Sequence, residues 1–464
     1  MKLPFFTLAG AALIGALAGA LPSNAIAGIP LTPPPSTAPA MDLSVELAHP
    51  QILAGRKMTT YLKVGLTGQE LEASAKRAPV NVTIVIDKSG SMGGDKMIHA
   101  REAAKQALDR LGAGDMVSVV AYDDAVSLIS PATDLTDRER VKAAIDRIQA
   151  GGSTALFSGI SKGAEELRRN KRPNQVNRVV LLSDGMANVG PSSPQDLGRL
   201  GASLAKEGIT VTTLGLGLGY NEDLMTELAL RSDGNHAFIE NSQNLAGIFQ
   251  TEFGDILSVV AQRIRVRVQC AEGVRPVRVL GREADIHGQD VELEMNQIYA
   301  RQHKYLLLEV EIPEGAADTD APVATAEVTS VNALTGAENR SLTRSVARRV
   351  NDPALIANTV NKAVLVEVAR AISTEKEALA VKLSDEGRHE EATKAYNAAC
   401  SWSLSEAKRL ASPELEKLGI SQQERLQMFN AGGVSANAAR KMSKSEDLKN
   451  RTQNGLSSRP EAKK

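Results

Sequence analysis

The stretch that decides the fold is Val82–Met92, which reads VTIVIDKSGSM. Its first five residues are apolar or β-branched, as in a strand buried on both faces of a parallel sheet. The strand runs into Asp87-Lys88-Ser89-Gly90-Ser91, which brings one carboxylate and two hydroxyls together. Gly90 lets the backbone curl tightly between the two serines. Oxygen donors of this kind suit hard divalent cations such as Mg²⁺.

Short apolar strands alternate with amphipathic helices after this stretch. Strands are predicted over 82–86, 116–122, 126–129, 176–183 and 209–214, and helices over 96–111, 137–149, 155–169, 194–207 and 221–231. The alternation predicts an α/β domain with a doubly wound, mostly parallel sheet and helices on both faces. Ligands of such sheets bind beyond the carboxyl ends of the strands. The candidate site is therefore expected at that edge.

Two further segments reach the same edge. Gly151-Gly152-Ser153-Thr154 is a flexible loop that enters a helix, and LLSDG at 181–185 ends a second buried strand. The candidate metal ligands are thus Asp87, Ser89, Ser91, Thr154 and Asp184. Taken singly, an Asp or Ser at a strand end is more often a helix cap or a turn residue. The coincidence of all of them at one edge favours a site for Mg²⁺, or else Mn²⁺ or Ca²⁺.

The D-x-S-G-S motif, the threonine loop and the final S-D-G resemble the metal-ion-dependent adhesion site of von Willebrand factor type A domains, in the form found in bacterial secreted proteins. The resemblance covers about 82–255. It implies that Ser89, Ser91 and Thr154 contact the metal, while Asp87 and Asp184 hold its waters. It also implies an open coordination position that takes an Asp or Glu carboxylate from a partner protein.

The segments that flank this domain alternate apolar and polar residues, as half-exposed strands do. Strands at 42–48 and 58–66 are too few to fold alone, whereas 264–350 supplies many. We therefore expect the type A domain to be inserted in a β-sandwich. The predicted order is a signal peptide (1–27), a Pro-rich linker (28–41), N-terminal sandwich strands (42–78), the type A domain (79–258), the rest of the sandwich (262–350), a helical segment (353–430) and a disordered tail (431–464).

The N-terminus predicts export to the periplasm or the extracellular space. Lys2, the apolar run Pro4–Leu21 and Ala25-Ile26-Ala27 fit a cleaved secretory signal. The alternative is an uncleaved anchor, since the run approaches spanning length. No later run is long enough, so no stable membrane span is expected after cleavage. An oxidising compartment permits a bridge between Cys270 and Cys400, but two separate buried thiols are the simpler interpretation, because a bridge needs Cα atoms within about 7 Å.

Composition and motifs exclude several functions. A formal charge of -1 and 3% aromatic residues give no basis for nucleic-acid binding. The glycines of LGLGLG at 214–219 are one position short of a dinucleotide-binding loop. The six His are scattered, and no base or nucleophile accompanies the serines, so an enzyme is not predicted. A role in a metal-chelatase machine would need a cytosolic AAA+ partner, which the export signal opposes.

The sequence therefore predicts a metal-dependent protein-binding or adhesion protein, in which the cation coordinates an acidic residue of the partner. The alternative is an exported assembly or scaffold factor, in which the β-sandwich and the helical segment carry the main contacts. The identity of the partner does not follow from the sequence, because the outer ligand belongs to the other molecule.

Overall fold

The computed structural model describes residues 39–71 and 77–454, so the predicted signal peptide lies outside the described residues. Three strands precede the α/β domain: β1 (Met41–Leu47), β2 (Gln51–Leu53) and β3 (Met58–Gly68). The predicted linker was wrong at its C-terminal end, because Met41 is buried and pairs with Gly68. In the described ranges we find no helix with the length and apolar character that a membrane crossing requires.

The α/β domain is one six-stranded sheet covered by helices. Its strands are β4 (Val80–Asp87), β5 (Met116–Tyr122), β6 (Val126–Thr133), β7 (Val176–Ser183), β8 (Ile209–Leu216) and β9 (His236–Ile239). Its helices are α1 (Asp95–Asp109), α2 (Arg138–Asp146), α3 (Leu156–Arg169), α4 (Pro194–Lys206), α5 (Glu222–Arg231) and α6 (Leu245–Ile256). The strand order is β6-β5-β4-β7-β8-β9, and β6 is antiparallel to β5 while the other pairs are parallel.

Both faces of the sheet are buried because successive side chains of a strand point to opposite sides. Ile84 belongs to the hydrophobic core that contains α1 and α6, whereas Val85 belongs to the core that contains α3, α4 and α5. Helix α3 lies very close to the sheet. A Cβ atom on Gly159 would lie 2.6 Å from the Tyr122 ring, and one on Gly163 would lie 2.7 Å from Val85 Cγ2. These glycines therefore set how near the start of α3 comes to the strand ends.

The strands after the α/β domain build two sheets with the strands that precede it. They are β10 (Val259–Cys270), β11 (Arg275–Leu280), β12 (Asp285–His287), β13 (Asp290–Tyr299), β14 (His303–Ile312), β15 (Asp320–Asn332) and β16 (Glu338–Val350). One sheet has the order β1-β3-β14-β11 and the other β12-β13-β10-β15-β16-β2. Both contribute to one core, for example Leu62 from β3 and Val266 from β10. We call this part the two-sheet module.

The remaining described residues are helical: α7 (Pro353–Thr359), α8 (Lys362–Asp385), α9 (His389–Leu410), α10 (Pro413–Ala431) and α11 (Gly433–Thr452). The disorder expected for 431–464 was wrong for α11. This helix buries small and charged side chains such as Ala439, Lys441 and Ser443. An apolar stripe is the usual signal of a packed helix, and α11 has almost none. Residues 455–464 lie outside the described part.

The two cysteines are separate. Cys270 in β10 and Cys400 in α9 are both buried and both free. Burial raises the pKa of each thiol to about 11, so both stay protonated at neutral pH. Neither has the thiolate character that a reactive cysteine needs.

Fragments that keep or cut the strand pairing test this arrangement. Residues 77–258 should unfold cooperatively as a fragment, because the six strands of the α/β domain pair with one another. Residues 259–350 should not, because β14 would lose β3 and leave a bare sheet edge. Thermal unfolding followed by circular dichroism distinguishes the two cases. A cooperative transition in 259–350 alone would contradict the shared sheet.

Candidate metal centre

Two carboxylates meet at the carboxyl ends of adjacent strands. Asp87 is the last residue of β4, and Asp184 directly follows β7. The strands run parallel with Ile86 opposite Leu182, so the two side chains emerge at the same edge. Asp87 is 0% and Asp184 is 1% exposed. Carboxylates buried this deeply need hydrogen bonds or opposite charges.

The loop after β4 supplies hydrogen bonds to both carboxylates. Asp87 Oδ1 accepts from Ser89 N at 2.8 Å, and Asp87 Oδ2 accepts from Ser183 Oγ at 2.6 Å. Ser89 Oγ lies 3.1 Å from Ser91 Oγ, which donates to Asp184 Oδ1 at 2.7 Å. A continuous chain of contacts therefore joins four of the predicted ligands. Burial raises the pKa of Asp87, against the opposing effect of the hydrogen bonds from Ser183 and Ser89.

Thr154 completes the group from the loop that precedes α3. A Cβ atom on Gly185 would lie 2.9 Å from Thr154 Oγ1 and 3.5 Å from both Asp87 Oδ2 and Ser89 Oγ. Three oxygens therefore surround one small region that Gly185 leaves free of side-chain atoms. The structure thus brings all the predicted ligands together. Their donor atoms are hydroxyl and carboxylate oxygens, the set that fits a hard divalent cation.

Main-chain hydrogen bonds join the threonine loop, residues 151–154, to the loop after β4 that carries Ser89 and Ser91. Gly151 N donates to Lys88 O at 2.7 Å, and Gly90 N donates to Gly152 O at 3.0 Å. Gly152 has a φ of +77°, a conformation that glycine adopts without strain. These bonds fix the distance between the hydroxyl of Thr154 and those of the serines.

Three residues next to the site were not assigned a role from sequence. Lys96 forms an ion pair with Asp184, Ser183 donates to Asp87, and Asn188 Oδ1 accepts from Thr154 N at 2.8 Å. A cation in the first turn of α1 is unfavourable to the helix dipole, which signals that Lys96 has another partner. A lone hydroxyl at the end of the apolar run VVLLS was a comparable signal for Ser183. Nothing in the sequence pointed to Asn188.

The side chains at the site are compatible in charge with a bound cation. Two carboxyl groups, Asp87 and Asp184, face the site, and the ammonium group of Lys96 pairs with Asp184. Lys88 is paired with Asp123 and adds nothing. Within 39–71 and 77–454 there is no cluster of three or more His, Cys, Asp or Glu that could hold a metal ion. Any cation at this edge would therefore depend on the hydroxyls as well as on the two carboxylates.

Comparison with known proteins identifies the α/β domain. The family model of the von Willebrand factor type A domain matches residues 81–251, so the chain contains a type A domain. Uncharacterized protein sll0103 of Synechocystis sp. is 28% identical over 46% of this chain and 50% of its own length. E3 ubiquitin-protein ligase WAV3 of Arabidopsis thaliana is 24% identical over 54% of this chain and 33% of its own. The chain spans half or less of the length of these curated relatives.

A solved structure extends the likeness beyond the type A domain. The von Willebrand factor type A protein of Catenulispora acidiphila superposes with a TM-score of 0.68 at 17% identity. The match covers 90% of this chain and 98% of that one. At this identity the likeness shows a shared fold and nothing about activity.

Substitution of Gly152 tests the fit of the threonine loop. In Gly152→Ala the new Cβ would lie 2.5 Å from Asp124 Oδ2 and would be held at a positive φ. The free energy of unfolding should fall by about 1–3 kcal/mol. Gly151→Ala is the matched control, since no heavy atom of the described residues lies within 4 Å of its Cβ. The control should change stability by less than about 0.5 kcal/mol in chemical denaturation. Equal effects would contradict the close packing at Gly152.

Proposed function

We propose that this protein is an exported, metal-dependent protein-binding or adhesion protein, whose type A domain offers a divalent cation to an acidic residue of a partner. Proteins with this domain typically take part in protein–protein interaction and adhesion. The observation that carries the proposal is the convergence of the predicted ligands at one edge of the sheet, namely Asp87, Ser89, Ser91, Thr154 and Asp184.

The donor set supports a hard cation, Mg²⁺ or else Mn²⁺ or Ca²⁺. The hydroxyls of Ser89, Ser91 and Thr154 would bind it directly, and Asp87 and Asp184 would hold its waters. When bound, the cation would supply a Lewis-acidic position for a carboxylate ligand. Ser91 is exposed while Asp87 and Asp184 are buried, so the protein's negative charges lie behind the site and solvent lies in front.

A partner carboxylate fits the charge of this arrangement. With only two protein carboxylates, one of them paired with Lys96, a divalent cation would retain positive charge on its outer side. An incoming Asp or Glu would neutralise that charge in a place where few waters screen it. Such charge pairing is worth about 2–3 kcal/mol, which corresponds to roughly a hundredfold in affinity.

Export remains part of the proposal. It rests on the apolar run Pro4–Leu21 and the small residues Ala25-Ile26-Ala27, and it places the protein in the periplasm or outside the cell. We assign binding rather than catalysis, because the serine hydroxyls at the site contact one another and the two Asp side chains, and no histidine is among their hydrogen-bond partners in the described ranges.

Metal binding is tested by calorimetry with Mg²⁺ and Mn²⁺. Asp87→Ala and Ser89→Ala should each weaken binding at least about tenfold, because each removes an oxygen donor from a small set. Ser158→Ala, on the exposed side of α3, is the control and should bind as the wild type does. Cooperative thermal unfolding should persist in all three variants. Undiminished binding in both site variants would show that the ligand assignment is wrong.

Partner binding is tested by capture from cell-envelope extract. Capture should occur in Mg²⁺ and should drop at least about tenfold in EDTA and in Thr154→Ala, because the partner carboxylate needs the cation. The captured protein should lose binding when its exposed Asp or Glu residues are replaced by Asn or Gln. Equal capture under all conditions would favour the alternative, an exported scaffold factor that binds through the two-sheet module or the helices.

A further inference from the structure

The C-terminal residues 433–454, which we call the strap, join the three parts of the molecule. Ser443 Oγ donates to Glu377 Oε1 of α8 at 2.7 Å. Gln453 Oε1 accepts from Tyr305 N of β14, also at 2.7 Å. The strap therefore binds the helical segment and the two-sheet module, and its middle reaches the α/β domain.

The contact with the α/β domain centres on Lys441, which is 1% exposed. Its Nζ donates to Tyr220 O at 2.6 Å, pairs with Glu222 and lies 4.0 Å from the centre of the Tyr220 ring. The neighbouring Arg440 also pairs with Glu222, and it donates to Asp223 Oδ2 at 2.8 Å. A buried ammonium group is stable only with such partners, and the contacts with Tyr220 are made by Lys441, so removal of Lys441 loosens Tyr220 while Arg440 still pairs with Glu222.

Tyr220 belongs to residues 217–221, which join β8 to α5 and which we call the site loop. The glycines of this loop lie next to the candidate metal centre. A Cβ atom on Gly219 would lie 3.0 Å from Asp184 O, and one on Gly217 would lie 4.0 Å from Lys96 Nζ. The strap and the Asp184–Lys96 pair therefore both lie next to the same loop.

The strap is attached mainly by polar contacts. Its helix buries Ala438, Ala439, Lys441, Ser443, Ser445, Leu448 and Thr452, of which only Leu448 is a large apolar residue. By contrast, α8 contributes Val364, Leu365 and Val368 to a hydrophobic core. Apolar burial is the dominant favourable contribution to docking, so the strap should detach at a lower free-energy cost than α8.

We propose that the strap is a positioning device for the metal centre, and that Lys441 is the residue through which it acts. While the strap is docked, Lys441 holds Tyr220 and so keeps the site loop against Asp184. When the strap detaches, the site loop becomes mobile and no longer packs against Asp184. The position of Asp184 is then less well fixed, and the affinity for the cation falls. This inference rests on the proposed function, and it adds a control of cation affinity from outside the type A domain.

The test uses the full chain with Lys441→Met, and Mn²⁺ as the probe. Mn²⁺ affinity, measured by calorimetry, should fall about tenfold. Hydrogen exchange of residues 217–223 should accelerate by at least about tenfold in the metal-free protein. Lys449→Met is the matched control, because Lys449 lies on the same helix and forms no ion pair in the described part of the chain.

The outcomes separate the two proposals. Wild-type chain that binds no Mn²⁺ would overturn the proposed function together with the coupling. If the wild type binds Mn²⁺ and Lys441→Met binds it with the same affinity, the coupling alone is overturned, even if hydrogen exchange in the site loop is faster. If Lys441→Met does not fold, Glu222→Gln weakens the same ion pair from the loop side. Wild-type Mn²⁺ affinity in that variant would equally overturn the inference.

Discussion

The parallel pairing of β4 with β7 is the constraint on which the candidate site depends. It places Asp87 and Asp184 side by side, both out of water, where their charges repel. Hydrogen bonds from Ser89, Ser91 and Ser183 and the ammonium of Lys96 offset that repulsion. The loops after β4 and β7 carry these groups, and their oxygen atoms are the ones that the proposed cation would use.

The sequence predicted the α/β part well because its strands are buried on both faces. The run VNVTIVID in β4 is mostly apolar or β-branched and is followed by polar residues, so the sequence predicts both the strand and the position of its end. The same reasoning located the candidate ligands, which the structure brings together. Lys96 and Asn188 were missed because their partners are distant in sequence, and hydrogen bonds between distant residues leave no periodic pattern.

Outside the α/β domain the sequence was informative only where apolar residues mark the elements. The alternation in β3 and β14 made both strands visible although they are more than 200 positions apart, and they pair from Met58–Ile312 to Thr67–His303. Strand β2 covers only Gln51–Leu53 and was missed because it is too short to show a period. Helix α11 was missed because ion pairs and hydrogen bonds, rather than an apolar face, attach it to the rest of the protein. Polar burial is the kind of packing that a hydrophobic pattern does not report.

The two connections of the α/β domain have a mechanical consequence. The chain enters the domain from β3 and leaves it into β10, and these strands lie in different sheets of the two-sheet module. Each is a central strand: β3 pairs with β1 and β14, and β10 pairs with β13 and β15. A pulling force applied to the α/β domain at the candidate metal centre would be shared between both sheets. Strand β3 or β10 could be pulled out only after its pairing with both neighbouring strands had broken. The α/β domain is therefore anchored to both sheets of the two-sheet module, through a central strand of each.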